Sequence, residues 1–240
     1  MSLIVGLLAW VAVGGAAPQP ACSAAAVQAL TQAQQAVLVG ETAVARGQLE
    51  AAQGQAPDCA MLATASRLLE GWDAAAAAAK AGGTAEALAP LRTQIAALEG
   101  TGREGATPAT YGVALLHAAA AASQDEREEL KVWLEHARLL SSRLTLAGDP
   151  PAWPLPIELA EATLWLMVDD YEQAEKAFAA ANARQESVAA LAGLARARDR
   201  RGNKAGACTA FRRVTAIVPA EHRSGALAAE ARGYTLLCDP

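Results

Sequence analysis

The chain has 240 residues, 20 Lys and Arg against 25 Asp and Glu, a net charge of −5, and 53% hydrophobic residues with only 4% aromatics. Such a length buries a core unaided and allows one large domain or two small ones. The acidic isoelectric point near 5.3 and the lack of interleaved basic and aromatic residues speak against nucleic acid as a partner. The abundant alanine favours helices and disfavours strands, which points to an all-α chain.

Residues 2–17, SLIVGLLAWVAVGGAA, are apolar and uncharged, but shorter than the roughly 20 residues of a membrane span. They have the size of a signal-peptide core, with Gly14, Ala16 and Ala17 near a cleavage site. Residues 1–17 are therefore expected to be removed on export, to the periplasm or outside the cell, leaving no transmembrane span. Two features are irregular: no Lys or Arg precedes the run, and Pro18 disfavours cutting directly before it. A buried amino-terminal helix is the alternative. Cys22, Cys59, Cys208 and Cys238 fit an exported chain and allow three connectivities. Gln19-Pro20-Ala21-Cys22 lacks the aliphatic residue of a lipobox, which weakens a second reading as a lipid-anchored structural spacer.

Helices are predicted over 23–39, 41–53, 59–81 (capped by Asp58, stopped by Gly82-Gly83) and 85–98, where Pro90 bends the helix or shifts its start. Thr107-Pro108 opens another that runs to Ala122. Ser123-Gln-Asp-Glu126 matches a capping box for the next. Its apolar stripe is Leu130, Trp133, Ala137, Leu140 and Leu144. GDPPAWPLP, residues 148–156, has four prolines in nine residues and marks a connector between an N-terminal helical region (18–147) and a C-terminal one (157–240). A last helix is expected over 221–237.

In the final third, Tyr171, Ala174, Phe178 and Ala181 recur as Lys204, Ala207, Phe211 and Val214, each 33 residues later. A period in this range on helix pairs marks a stacked repeat. Leu191, Leu194, Ala195, Gly202, Ala207, Phe211, Val214 and Pro219 together resemble the tetratricopeptide repeat (TPR) family over residues 155–237. The copy before it is looser, with Glu158 and Glu161 where the family has apolar residues. Gly40, Gly47, Leu49 and Ala52 give a weak upstream copy, and Trp72 with Ala75 hint at another. The resemblance implies antiparallel helix pairs stacked as a TPR-like solenoid, with a C-terminal capping helix. Because each repeat in a solenoid touches only its neighbours, it favours the local pairings Cys22–Cys59 and Cys208–Cys238.

Signs of chemistry are sparse. Gly100-Thr-Gly-Arg-Glu-Gly105 fits a dinucleotide fingerprint in spelling, but follows a helix where a strand is needed. His117, His136 and His222 are widely spaced, so no metal or other cofactor is expected, and Asp169, Asp170, Glu172 and Glu175 sit at a helix start, where acids favour the dipole. From Arg184 to Arg232 ten basic residues face four acidic ones, a local +6 that leaves −11 for the rest. Arg196, Arg200, Arg201 and Lys204 concentrate this charge around one interhelix turn. The expectation is a non-catalytic protein–protein interaction scaffold, with these four as contacts for a protein or an acidic peptide in a groove. A helical enzyme, or the accessory domain of an envelope enzyme complex, is the rival reading.

Overall fold

The computed structural model describes residues 22–101, 107–147 and 154–238. Among them are eleven α-helices and no strand: α1 (Ala24–Leu38), α2 (Thr42–Gln55), α3 (Ala60–Lys80), α4 (Ala89–Glu99), α5 (Pro108–Ser123), α6 (Arg127–Ala147), α7 (Ile157–Met167), α8 (Tyr171–Arg184), α9 (Val188–Arg200), α10 (Lys204–Ile217) and α11 (Ala226–Thr235). The fold is all-α, built of helices packed in adjacent antiparallel pairs and ended by α11. The apolar stretch 1–17, the Gln19–Ala21 segment, most of the glycine loop and residues 148–153 of the connector lie outside the described residues.

Five pairs turn in one way. After each odd-numbered helix from α1 to α9 stands a residue in the left-handed region: Gly40 (φ 86°), Gly82 (78°), Asp125 (56°), Asp169 (55°) and Gly202 (81°). The following amide reaches back to a carbonyl five residues earlier, Glu41 to Ala36, Gly83 to Ala78, Glu126 to Ala121, Asp170 to Trp165 and Asn203 to Arg198. This closure satisfies carbonyls that the helix end would leave orphaned. Seven residues before the left-handed position the chain always has alanine: Ala33, Ala75, Ala118, Ala162 and Ala195, each at most 1% exposed. A methyl group there lets neighbouring helices approach closely. Where the second helix follows directly, the fifth and ninth residues past the turn are buried: Ala45 and Leu49, Leu130 and Leu134, Ala174 and Phe178, Ala207 and Phe211.

The odd-numbered helices pack side by side as one layer, each on the next, and each even-numbered helix lies against its own partner and the following odd helix. The layer then closes on itself, because α1 also packs against α9. At this junction Gly40 lies against Leu227 of α11, and Gly225 against Glu41. The approach at Gly40 needs glycine, since a Cβ there would collide with the Leu227 side chain, whereas at Gly225 the Glu41 carboxylate tip could swing aside. The chain is thus more closed than a solenoid whose units touch only their neighbours. One cluster of buried apolar residues extends from Ala26 to Ala197 and includes Leu155 and Ile157. The buried Tyr111 hydroxyl donates to the Leu155 carbonyl (2.9 Å), pinning the end of the connector to α5.

The disulfides join Cys22 to Cys59 and Cys208 to Cys238, with Cα atoms 5.2 and 5.8 Å apart. The first ties the chain entering α1 to the residue before α3, and the second ties α10 to the end of α11. Closing loops of this length contributes about 4 kcal/mol each in the chain-entropy model.

Several local expectations are corrected. Asp58 does not cap α3, whose N-cap is Cys59 without a side-chain bond. Ser123 does not open α6. It ends α5, and its buried hydroxyl donates to the carbonyls of Ala75 (3.0 Å) and Ala119 (2.7 Å), joining α5 to α3. The turn that starts α6 is instead made by Asp125. In the α6 stripe Leu134 takes the core position and Trp133 is half-buried. Pro90 shifts a helix start as anticipated, lying in the first turn of α4. The last helix begins five residues late, after a short 3-10 turn at Ala220–His222. Glu158 and Glu161 each pair with a cation from a neighbouring helix, Arg184 and Arg138.

Candidate interaction cleft

The positive charge gathered on α9 and α10 is largely answered from within the chain. Arg196 of α9 grips Glu230 of α11 with both arms of its guanidinium, Nε to Oε1 at 2.8 Å and Nη2 to Oε2. Arg201 donates to Glu175 of α8, as does Arg198 (3.1 Å). Lys204 donates to Asp199. Of the four residues expected to contact a partner, Arg200 alone makes no ion pair among the described residues. It is exposed, with its guanidinium over the Tyr171 ring at 6.0 Å.

These pairs arise from register. Glu175 lies one turn into α8, so the end of α9 and the α9–α10 turn reach it together. Burial opposes ionisation of Glu175, but the bonds from Arg198 and Arg201 outweigh it and hold the carboxyl below its usual range. The Asp199 carboxyl is also held low, first by Lys204 and then by the Tyr234 hydroxyl. Burial, with the Asp199 carboxylate beside it, pushes Tyr234 up to about 12. Tyr171 donates to Asp169 at 2.5 Å, and that bond raises its pKa.

The ends of α7, α9 and α11, together with the start of α8, surround a cleft of about 360 Å³. Its apolar part is Leu166, Phe211 and the Tyr234 ring, which packs on Phe211 at 4.7 Å and 39°. Arg196, Asp199 and Arg200 of α9, Glu230 of α11, Asp169 and Tyr171 supply its polar lining. This cleft brings Arg196 and Arg200 together. Arg201 and Lys204 are not among its lining residues.

The other candidates carry little. His117 stacks on Trp133 (4.3 Å, 11°), and His136 lies near the same ring system (5.9 Å, 26°). The three rings form a surface cluster on α5 and α6, with His117 3.7 Å from Glu99. Among the described residues no group of three or more His, Cys, Asp or Glu is placed to hold a metal ion, and no helix is long and apolar enough to cross a membrane. A second cleft of about 330 Å³ is lined largely by the α5–α6 and α7–α8 turns. Arg127 bridges those turns, bonding the Val168 carbonyl at 2.6 Å and Asp125 at 3.1 Å.

Sequence reasoning missed Tyr171, Glu230 and Tyr234. A signal existed for the last two, which stand four residues apart on a short helix and so share one face. Their targets, Arg196 and Asp199, lie 34 and 35 residues upstream, too far for sequence spacing to pair them. No known protein family, curated protein or solved structure matches the chain.

Proposed function

We propose that the chain is a non-catalytic interaction scaffold of TPR-like type, working in an oxidising compartment outside the cytoplasm. Packed helix pairs with a shared turn support the architecture, and two disulfides support the compartment, since such bonds persist where thiols are not kept reduced. The cleft between α7, α9 and α11 is the recognition site, for a protein segment bearing acidic groups. The observation that carries this is Arg200, an exposed cation without an ion pair among the described residues, at the edge of a cleft where Arg196 and Asp199 already hold Glu230 and Lys204.

The test is Arg200→Glu. Arg196 and Lys204 hold partners within the chain, so substituting them would also disturb the fold, whereas Arg200 is exposed. Capture of a partner from envelope extract, quantified against the natural chain, is expected to fall at least about tenfold, the effect of reversing one charge–charge contact of about 1.4 kcal/mol. Lys131→Glu on the outer face of α6 serves as the control. Equal losses in the two variants, or none in Arg200→Glu, would remove the cleft from this reading.

A further inference from the structure

The cover of the cleft is held differently from the rest of the stack. On the preceding pair, Phe178 of α8 is covered by α9, which lies so close that a Cβ on Gly193 would strike the ring. Helix α9 buries eight of its thirteen residues. The matching ring one pair later, Phe211, is covered by α11, which has ten residues and buries only Ala228 and Ala231. Gly233 lies within α11 and faces open space, so it lowers the stability of the helix without serving a close contact. Leu236 and Leu237, directly after it, are about four-fifths exposed (81% and 80%). What binds α11 to the stack is a small apolar contact, Ala228 and Ala231 with the half-buried Leu227, and two side chains on one face that carry the polar bonds. The Glu230 carboxylate sits on Arg196, and Tyr234 lies on Phe211 with its hydroxyl donated to Asp199. A covalent leash, Cys208–Cys238, keeps the helix nearby.

From this contrast we infer that α11 is a displaceable stand-in for a partner's helix. The inference rests on the cleft being the recognition site and says what enters it: a helix presenting a carboxylate and, four residues later, an aromatic ring with a hydroxyl. The partner's carboxylate takes Arg196 from Glu230, and its ring takes the place of Tyr234 on Phe211. A further acidic group on the partner meets Arg200, which α11 leaves unpaired. That extra contact is what lets a separate helix compete with a tethered one. The disulfide stays intact throughout and returns α11 to the cleft when the partner leaves.

The probe is a fluorescein-labelled synthetic peptide of residues 224–237, titrated by anisotropy into the oxidised full chain and into its Glu230→Gln variant. Weakening the resident helix is expected to tighten peptide binding at least about tenfold, the usual size of one lost charge-assisted bond. A peptide with Gln in place of Glu230 is expected to lose the same factor. Cys208→Ser/Cys238→Ser, which frees α11, should bind the peptide at least as tightly as Glu230→Gln, with circular dichroism verifying its helices. Equal affinities across the folded variants, or indifference to Gln in the peptide, would overturn the inference. So would a dimer of the Cys-free variant that the peptide fails to dissociate, since a second copy would then be the occupant. If the peptide binds no variant while partner capture still depends on Arg200, α11 is a permanent cap and only the scaffold reading stands.

Discussion

The α9–α10 pair and the α3–α4 pair share the same left-handed turn and the same buried alanine seven residues before it, yet they differ in everything else. In the former, helices of 13 and 14 residues are joined with no slack. In the latter, a 21-residue helix is followed by two glycines, residues 84–88 without a helix, and an 11-residue helix with proline in its first turn. The unit that recurs is therefore the turn with its alanine, not a fixed length of chain. Successive left-handed positions lie 42 residues apart (40 to 82), then 43 (82 to 125), 44 (125 to 169) and 33 (169 to 202). Close helix approach is preserved while helix length varies between pairs.

If the pairs are equivalent in packing, truncating the large residue nine places past the turn should cost much the same upstream and downstream. Phe178→Ala and Phe211→Ala are each expected to lose about 3–5 kcal/mol, and Leu49→Ala and Leu134→Ala about 2–5 kcal/mol, as four fully buried side chains. Urea unfolding followed by circular dichroism measures this. A cost below about 1 kcal/mol for Leu49→Ala would show that the first pair is only appended to the stack, which the contact of α1 with α9 argues against.

The same contrast explains what could be seen in advance. The downstream period was legible because aromatic residues mark Phe178 and Phe211 and their helices, α8 and α10, both have 14 residues. Upstream, leucine stands in the aromatic place among many alanines, and unequal helices spoil the period, so Leu49 and Ala75 gave only hints. Asp125 and Asp169 hide the turn, since a left-handed position held by aspartate lacks the glycine that announces it. At the cleft, the basic cluster on α9 was visible as composition. Its neutralisation was not, because Glu175 and Glu230 come from helices that only folding brings alongside. The closure of α1 onto α9 has no local signal either, apart from Gly40.

Two glycines with similar backbone angles separate backbone strain from packing. Gly202→Ala, with open space around its Cβ, is expected to cost about 1–2 kcal/mol from the left-handed conformation alone. Gly40→Ala bears the same strain and also drives a methyl group into Leu227, adding about 1–3 kcal/mol. Equal losses in the two thermal or urea midpoints would mean that the junction of the α1–α2 turn with α11 is loose. A larger loss at Gly40 would show it to be a packed joint.

The smallest effect tests how the downstream pairs are joined electrostatically. Glu175 holds two arginines, and its carboxyl is kept below the ordinary range in the folded chain. A depressed folded pKa contributes stability above the unfolded value near 4.5, and that contribution disappears as pH falls through the lower folded value. The natural chain should therefore lose stability between pH 5 and the acid limit more steeply than Glu175→Gln, with equal slopes above about pH 6. The difference is expected to stay under about 1 kcal/mol, because both arginines are partly solvated and salt screens them. Glu172→Gln, at the exposed start of the same helix, where Lys176 first and Arg201 after it hold the carboxyl low, is the reference. Were it to flatten the acid limb as much as Glu175→Gln, the coupling of α8 to α9 and α10 would be general surface charge, not a joint made by one buried-side carboxylate.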